Sequence, residues 1–301
     1  MPKKSRKKRH PRRRWLSVLI GTAAVLLLAV LAAFLTAPDV TLLRARNPAE
    51  TAMMRYREAS AKASRRPIGR LQYWVPFSRI SPFLVQAVLI SEDDKFYAHE
   101  GFDWQGIRDA LEKNIRSGHV VGGGSTITQQ LAKNLYLKPT RSPLRKLREA
   151  VIAFLLDKRL KKRRILELYL NVIEWGRGIY GAEAAAQVYY QKAASDLALA
   201  EAVRLASVLP NPLRYQPNSD AVNWLREKRR LIGERMLMKH WIDEGQYRAL
   251  CNDVDPGFLP IQADTAAVAE IISFSADSVN APSPYPPDSV QTDPVFLPSA
   301  Q

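Results

Sequence analysis

Residues Ile90–Trp104, with the sequence ISEDDKFYAHEGFDW, join an apolar segment to three consecutive carboxylates, Glu92–Asp94. Just upstream, Ser81 and Pro82 provide a hydroxyl N-cap and a proline at the first helical position, which predicts a short apolar helix ending at the carboxylates. Adjacent like charges beside apolar residues raise the pKa of a carboxyl group, which suits a proton acceptor near neutral pH. A solvated acidic helix end has the same pattern, and these residues alone leave both interpretations open.

Charge is unevenly distributed along the 301 residues, whose formal net charge is +16. Residues 1–37 contain nine Lys/Arg and no acid, whereas residues 249–301 contain seven acids and no Lys/Arg. The basic middle of the chain indicates an anionic partner, which could be nucleic acid, a membrane surface or a phosphate-bearing substrate. A single cysteine, Cys251, excludes an intramolecular disulfide framework and a Cys-based zinc cluster.

The N-terminus combines a basic run, Lys3–Arg14, with an uncharged stretch, Trp15–Ala37, that is long enough for a helix to cross a bilayer. A nucleic-acid-binding tail and a cleaved signal peptide are the alternatives. Pro38 directly follows the only small-residue cleavage site, so the pattern favours an uncleaved signal anchor. The positive-inside rule then predicts a cytoplasmic N-terminus and an ectodomain across the membrane.

The rest of the chain has helical periodicity and few alternating strand patterns, which predicts a mostly α fold. Asp39–Arg66 is interpreted as a stalk or first helix, and Asp220–Trp241 as one long basic helix. The proline- and serine-rich acidic C-terminus has the composition of a disordered segment. The predicted organisation is a cytoplasmic basic segment at 1–14, a transmembrane anchor at 15–37, a stalk or linker at 38–72, a main domain at 73–250 and an acidic tail at 251–301.

A second motif, GGSTITQQLAKN at Gly123–Asn134, begins in a glycine-rich stretch. Thr126 and Gln129 have the spacing of a capping box, which predicts a helix start with free N–H groups facing the glycines. Such a helix N-terminus can bind an anion, although the motif lacks the Gly-Lys-Ser/Thr of a P-loop. A flexible hinge before an ordinary capped helix is the alternative.

A third motif, RKLRE at Arg145–Glu149, opens a helix that continues with seven apolar residues, AVIAFLL. This run predicts a helix that is buried on nearly all sides. Arg145 and Glu149 have the spacing of a surface ion pair. Because Glu149 precedes a buried helix, it is a second candidate acid.

Four motifs in this order, EDDKFYAHEG (92–101), GGSTITQQLAKN (123–134), RKLRE (145–149) and RILELYLN (164–171), resemble those of glycosyltransferase family 51, the peptidoglycan transglycosylases. The resemblance extends from near Val75 to Pro217, about half of the chain. It implies a lysozyme-like, two-lobed helical domain whose hydrophobic lobe, including residues 105–122, faces the membrane. The serine transpeptidase motifs of bifunctional relatives are not found, so no transpeptidase activity is expected.

The resemblance implies that lipid II is polymerised by β-1,4 transfer, with inversion and loss of undecaprenyl pyrophosphate. Glu92 would be the general base for the acceptor 4-hydroxyl, and Glu149 would stabilise the leaving pyrophosphate or the donor sugar. Inverting transfer does require a base on one face of the sugar and charge stabilisation on the other. The substrate-binding residues implied are His99, Ser125, Thr126, Gln129, Gln130, Lys133, Asn134, Arg141, Arg145, Lys146, Glu167 and Asn171.

The resemblance further implies no required cofactor, with Mg²⁺ or Mn²⁺ assisting the pyrophosphate in some relatives. The implied partners are lipid II, the growing glycan strand, the membrane and cell-wall synthesis or division proteins, but not nucleic acid. The implied location is the bacterial inner membrane, with the catalytic domain in the periplasm. Two alternatives are a lytic muramidase-like hydrolase, which would not need the basic residues Lys133 and Arg145, and a membrane-tethered scaffold without catalytic activity.

Overall fold

A computed structural model describes residues 11–65, 69–117, 124–140, 142–219 and 222–254. The described part of the chain is predominantly helical, so the predicted mostly α fold is confirmed. Its α-helices are α1 (Pro11–Leu35), α2 (Ala52–Ala63), α3 (Pro82–Glu92), α4 (Trp104–Ser117), α5 (Ile127–Tyr136), α6 (Pro143–Arg159), α7 (Lys162–Val172), α8 (Ala182–Tyr190), α9 (Leu199–Val208), α10 (Asn223–Met238) and α11 (Glu244–Val254). Short 3₁₀ turns occur at Thr41–Arg44, Phe77–Arg79 and Ala194–Asp196.

Helix α1 contains the predicted membrane anchor. Its Ser17–Leu35 portion has a mean hydropathy of 2.8 and is long and apolar enough to cross a membrane. Most of the side chains described in this portion are exposed, as expected for a helix that is covered by lipid rather than by protein. The basic residues before Pro11 lie outside the described residues.

The segment between the anchor and the main domain packs onto that domain. Val40, Leu43 and Met54 belong to the hydrophobic core, and Thr51 caps α2 by accepting a hydrogen bond from the Met54 amide over 3.1 Å. Of the two interpretations of this segment, the first helix corresponds to α2, which packs against α5.

The core is built around α3 and α5. Helix α3 packs against α9 and α10, and α5 packs against α6 and α7. The predicted start of α3 is confirmed, with Pro82 in its first turn, but the predicted hydroxyl cap is wrong. The Ser81 hydroxyl instead donates to the Leu197 carbonyl over 2.9 Å, because the start of α3 lies against the loop before α9.

Helix α6 is less completely buried than the sequence predicts. Val151, Ile152 and Leu156 are buried, but Phe154 is 38 % exposed. The helix is therefore not buried on all sides. Phe154 faces the anchor, since its ring contacts the ring of Phe34 on α1.

A small sheet accompanies the helices, with the strand order β1–β3–β2 for β1 (Leu71–Gln72), β2 (Glu174–Gly176) and β3 (Ile179–Tyr180). Strand β1 is parallel to β3, and β2 is antiparallel to β3. Gly181 follows β3 with φ +84°, and a Cβ there would approach the Asn171 carbonyl oxygen to 2.7 Å. This close approach joins the sheet to the end of α7.

The bounds of the C-terminal helices α10 and α11 differ slightly from the bounds predicted from the sequence. Helix α10 is shorter at both ends than the predicted 220–241. Helix α11 continues to Val254, and the side chains of Cys251 and Val254 are buried, although the tail predicted from the sequence begins at residue 251. Residues 255–301, the remainder of the predicted tail, lie outside the described residues.

Candidate active site

Glu92 is the last residue of α3, and its side chain is 9 % exposed. Nε2 of Gln130 on α5 donates to Oε2 of Glu92 over 2.9 Å. The Ser91 hydroxyl lies 2.8 Å from Oε1, and Nζ of Lys228 lies 3.7 Å from the same oxygen. Side chains from α3, α5 and α10 therefore hold the carboxylate in one orientation.

Lys228 is a site residue that the sequence did not reveal. It lies on α10, is 5 % exposed, and its Nζ is 5.7 Å from the centroid of the Trp224 ring. Burial lowers the pKa of Lys228, and the negative charge of Glu92 opposes that shift. The only signal in the sequence is the basic character of the helix, which does not indicate which lysine is buried.

The three consecutive carboxylates do not share one site. Oδ1 of Asp93 lies 2.9 Å from Nε2 of His99, and Oδ2 accepts a hydrogen bond from the Ile127 amide over 2.9 Å. Asp94 is exposed and pairs with Lys239 over 2.9 Å. Each carboxylate therefore has its own partners, and Asp93 joins the first motif to the start of α5.

The predicted capping box at the start of α5 is confirmed. The Thr126 hydroxyl oxygen accepts from the Gln129 amide over 3.2 Å, and Oε1 of Gln129 accepts from the Thr126 amide over 3.2 Å. The Thr126 hydroxyl also donates to the Gly101 carbonyl over 2.8 Å. The Thr126 hydroxyl thus joins the second motif to the first, and Oε1 of Gln129 is used in the cap.

Glu149 is buried on α6 and has a cation on each oxygen. NH1 of Arg145 lies 2.5 Å from Oε2, and Nζ of Lys146 lies 2.5 Å from Oε1. Nζ of Lys146 also donates to the Ser125 hydroxyl over 3.1 Å. The ion pair of Arg145 and Glu149 has the spacing predicted from the sequence, and Lys146 joins the third motif to the loop before α5.

Lys133 on α5 lies within electrostatic reach of both glutamates. Burial lowers the pKa of Lys133; the charge of Glu149 opposes this shift, Arg145 and Lys146 add to it, and Glu92 opposes it. Among the described residues, Lys133 donates no hydrogen bond to a protein acceptor and forms no ion pair. Its three donors are therefore available to an anionic ligand between the two carboxylates.

Comparison with known protein families gives a match over the part of the chain that contains Glu92 and Glu149. A family model described as Transglycosylase matches residues 61–237, more than half of the chain. The chain belongs to the transglycosylase family. The resemblance drawn from the four motifs is thereby confirmed.

Several curated relatives of this transglycosylase are named biosynthetic peptidoglycan transglycosylase. The protein of Methylobacillus flagellatus is 52 % identical over 191 residues, which cover 63 % of this chain and 82 % of the relative. The protein of Azoarcus sp. is 53 % identical over 205 residues, covering 67 % and 87 %. The protein of Laribacter hongkongensis is 46 % identical over 220 residues, covering 73 % and 96 %.

Two other predicted substrate-binding residues, Asn171 and Glu167, form hydrogen bonds with backbone groups of the transglycosylase domain itself. Asn171 exchanges two hydrogen bonds of 2.9 Å with the amide and carbonyl of Val75. Glu167 accepts from the Phe77 amide over 3.1 Å and pairs with Arg164. These bonds fix the segment before α3, and a substrate contact of either residue stays a prediction.

The last two predicted substrate-binding residues of this transglycosylase are Asn134 and Arg141. Asn134 is buried on α5, and Arg141 lies outside the described residues. Within the described ranges there is no group of three or more His, Cys, Asp or Glu side chains arranged to hold a metal ion.

Proposed function

We propose that the chain is a peptidoglycan glycosyltransferase that polymerises lipid II into β-1,4-linked glycan strands, with inversion and release of undecaprenyl pyrophosphate. The name of the relatives, biosynthetic peptidoglycan transglycosylase, supports peptidoglycan as the product. The observation that carries the proposal is Lys133, a partly buried cation whose donors are unused within the described residues and which lies within electrostatic reach of both Glu92 and Glu149.

In the proposed reaction Glu92 accepts the proton of the acceptor 4-hydroxyl. The hydroxyl oxygen then attacks the anomeric carbon of the donor sugar, and the bond from that carbon to the pyrophosphate oxygen breaks. Attack from the face opposite the leaving group inverts the anomeric configuration. The hydrogen bond from Gln130 supports this role because it keeps the carboxylate in one orientation.

The leaving pyrophosphate takes up the bonding electrons and is stabilised by the basic side chains around Glu149. Arg145 and Lys146 both pair with this carboxylate, which fixes their direction before the substrate binds. Lys133 contributes its free donors from α5. Fixed cations at the position where charge develops stabilise the transition state without reorganisation during the reaction.

The same proposal includes a location at the bacterial inner membrane, with a cytoplasmic N-terminus and a periplasmic catalytic domain. The apolar helix Ser17–Leu35 supports membrane anchoring. The domain also exposes several large apolar side chains: Tyr97, Trp104, Ile115 and Leu144. Partners in cell-wall synthesis or division, and assistance of the pyrophosphate by Mg²⁺ or Mn²⁺, are part of the proposal.

Incubation of the full-length protein with labelled lipid II tests the proposal. A glycosyltransferase gives long glycan polymer, a lytic hydrolase cleaves added glycan strands, and a tethered scaffold does neither. Glu92→Gln serves as the inactive control for polymer formation. Cleaved glycan, or the absence of polymer from the unsubstituted protein, would contradict the proposed function.

A further inference from the structure

A chain of two hydrogen bonds connects Glu92 to a buried tyrosine on a third helix. The hydroxyl of Tyr169, on α7, donates to Oε1 of Gln130 over 3.0 Å. Nε2 of the same amide donates to Oε2 of Glu92 over 2.9 Å. Tyr169 itself has no solvent exposure, so it is not positioned to touch a substrate.

The direction of each bond in this chain is determined by chemistry. An ionised carboxylate only accepts hydrogen bonds, so Gln130 must turn its NH₂ group toward Glu92 and its oxygen toward Tyr169. Burial raises the pKa of Tyr169 well above its ordinary value, and the charges of Glu92 and Asp93 raise it further. The phenol therefore keeps its proton and remains a donor to the amide oxygen.

We propose that Tyr169 is a positioning residue for Glu92, acting through Gln130. This inference rests on the proposed function, in which Glu92 is the general base. The tyrosine hydroxyl keeps the amide from rotating, and the amide in turn supplies a donor to the ionised carboxylate. A carboxylate that loses such a donor takes up a proton at higher pH.

The other groups that face Glu92 are unchanged when the hydroxyl is removed. Lys228 approaches it from α10, Lys133 acts on it from α5, and the neighbouring Asp93 is held by the Ile127 amide. A change of Tyr169 to Phe keeps the ring in the core and removes only the hydroxyl. If Tyr169 merely fills space, this change leaves the proton equilibrium of Glu92 unaltered.

The test compares full-length wild type, Tyr169→Phe, Gln130→Met and the double variant. Tyr180→Phe is the matched control, because Tyr180 is also buried and its hydroxyl lies 3.5 Å from a different carboxylate, that of Glu174. One measurement is the polymerisation rate of lipid II against pH. The other is carbodiimide labelling of Glu92 against pH, followed by mass spectrometry, which detects the protonated carboxyl group without turnover.

In Tyr169→Phe, the acid limb of the rate profile and the labelling midpoint should both move to higher pH by about half to one unit, the range expected when one hydrogen bond to a charged group is weakened. The rate on the alkaline side of this limb and the KM for lipid II should change less than twofold. Gln130→Met should give at least the same shift. Tyr169→Phe should add nothing in the Gln130→Met background, since the tyrosine acts only through the amide.

Each result bears on the positioning role separately from the proposed function. An unchanged labelling midpoint in Tyr169→Phe, or an equal shift in Tyr180→Phe, overturns the role even if wild type polymerises lipid II. A shifted midpoint supports the role even if wild type forms no polymer, in which case only the proposed function fails. If Tyr169→Phe does not fold, Tyr169→Leu, which also lacks the hydroxyl, takes its place, and an unshifted midpoint in Tyr169→Leu or in Gln130→Met overturns the inference.

Discussion

The ring of Phe34 on α1 meets the ring of Phe154 on α6 edge-on, with centroids 6.1 Å apart and an interplanar angle of 78°. Phe34 lies near the end of the apolar span Ser17–Leu35, and α6 is the helix that carries Glu149. The anchor therefore packs directly on the element that supplies one half of the candidate site. The proposed membrane anchor and the helix that carries Glu149 are therefore in direct contact.

Replacement of Phe154 by Ala should weaken this link while leaving the core intact, because Phe154 is 38 % exposed. An edge-to-face aromatic pair contributes about 0.5–1.5 kcal/mol beyond its buried area, so polymerisation in lipid vesicles should slow about two- to tenfold. Tyr56→Ala is the matched control, since Tyr56 is equally exposed on α2. Phe34→Ala should slow the reaction by a similar factor, and the double variant should be no slower than either single one; additive effects would contradict the coupling.

A second prediction concerns Lys133. Lys133→Met keeps most of the side-chain volume and removes the charge, and loss of a hydrogen bond to a charged group costs about 1.5–3 kcal/mol. Lipid II binding should therefore weaken about 10- to 100-fold. The control is Lys62→Met, an exposed lysine on α2, which should bind normally. Unchanged lipid II binding by a folded Lys133→Met protein would contradict a role of Lys133 in substrate binding.

The third prediction is a pH dependence of stability at Glu174, a buried residue of β2 that pairs with Arg57 over 2.9 Å. Burial raises the pKa of Glu174 above its ordinary 4.5, although Arg57 opposes the shift. The folded protein thus binds this proton more tightly than the unfolded chain does. The stability contributed by Glu174 is present below pH 4.5 and is lost as the pH rises through the folded-state value.

Glu174→Gln cannot ionise, so its unfolding temperature relative to wild type should rise between pH 4 and pH 8. Thermal unfolding of both full-length proteins in detergent across this range measures the difference. Glu227→Gln, a change at an exposed carboxylate of α10, controls for the altered net charge. A difference between Glu174→Gln and wild type that stays constant with pH would contradict the assignment.

Features that depend on neighbours in the chain could be predicted from the sequence. The capping box of Thr126 and Gln129 spans one helical turn, and so does the pair of Arg145 and Glu149. Spacing alone determines such contacts, because residues three or four apart lie on the same face of a helix. The start of α3 was predictable from Pro82 itself, since proline favours the first turn of a helix.

Features that depend on how distant segments meet were not predictable. Lys228 reaches Glu92 only because α10 packs on α3, and nothing in the local pattern of α10 distinguishes it from its basic neighbours. Phe154 lies in a continuous apolar run, and nothing in that run indicates that its ring would contact the anchor. The pairing of Leu71 with Ile179 joins strands too short to give an alternating pattern.

The last prediction separates the roles of the two glutamates. Glu92→Gln retains shape and hydrogen bonding but cannot accept a proton, and loss of a general base typically costs about 10²- to 10⁴-fold in rate. Lipid II should still bind, because Lys133 and Arg145 lie on other helices. Glu149→Gln should also slow polymerisation, but for a different reason. A neutral amide cannot form the ion pairs that fix Arg145 and Lys146 in wild type.

The two variants should therefore differ in their dependence on pH. Glu149→Gln should keep the acid limb of the rate profile, since Glu92 is intact, whereas the residual rate of Glu92→Gln should lack it. Polymerisation rates across the pH range, measured together with lipid II binding, provide the comparison. Asp94→Asn is the control, because Asp94 is exposed and pairs with Lys239 rather than with the site. A near wild-type rate in Glu92→Gln would exclude it as the base, and the proton would then have to pass to Asp93 or Glu149.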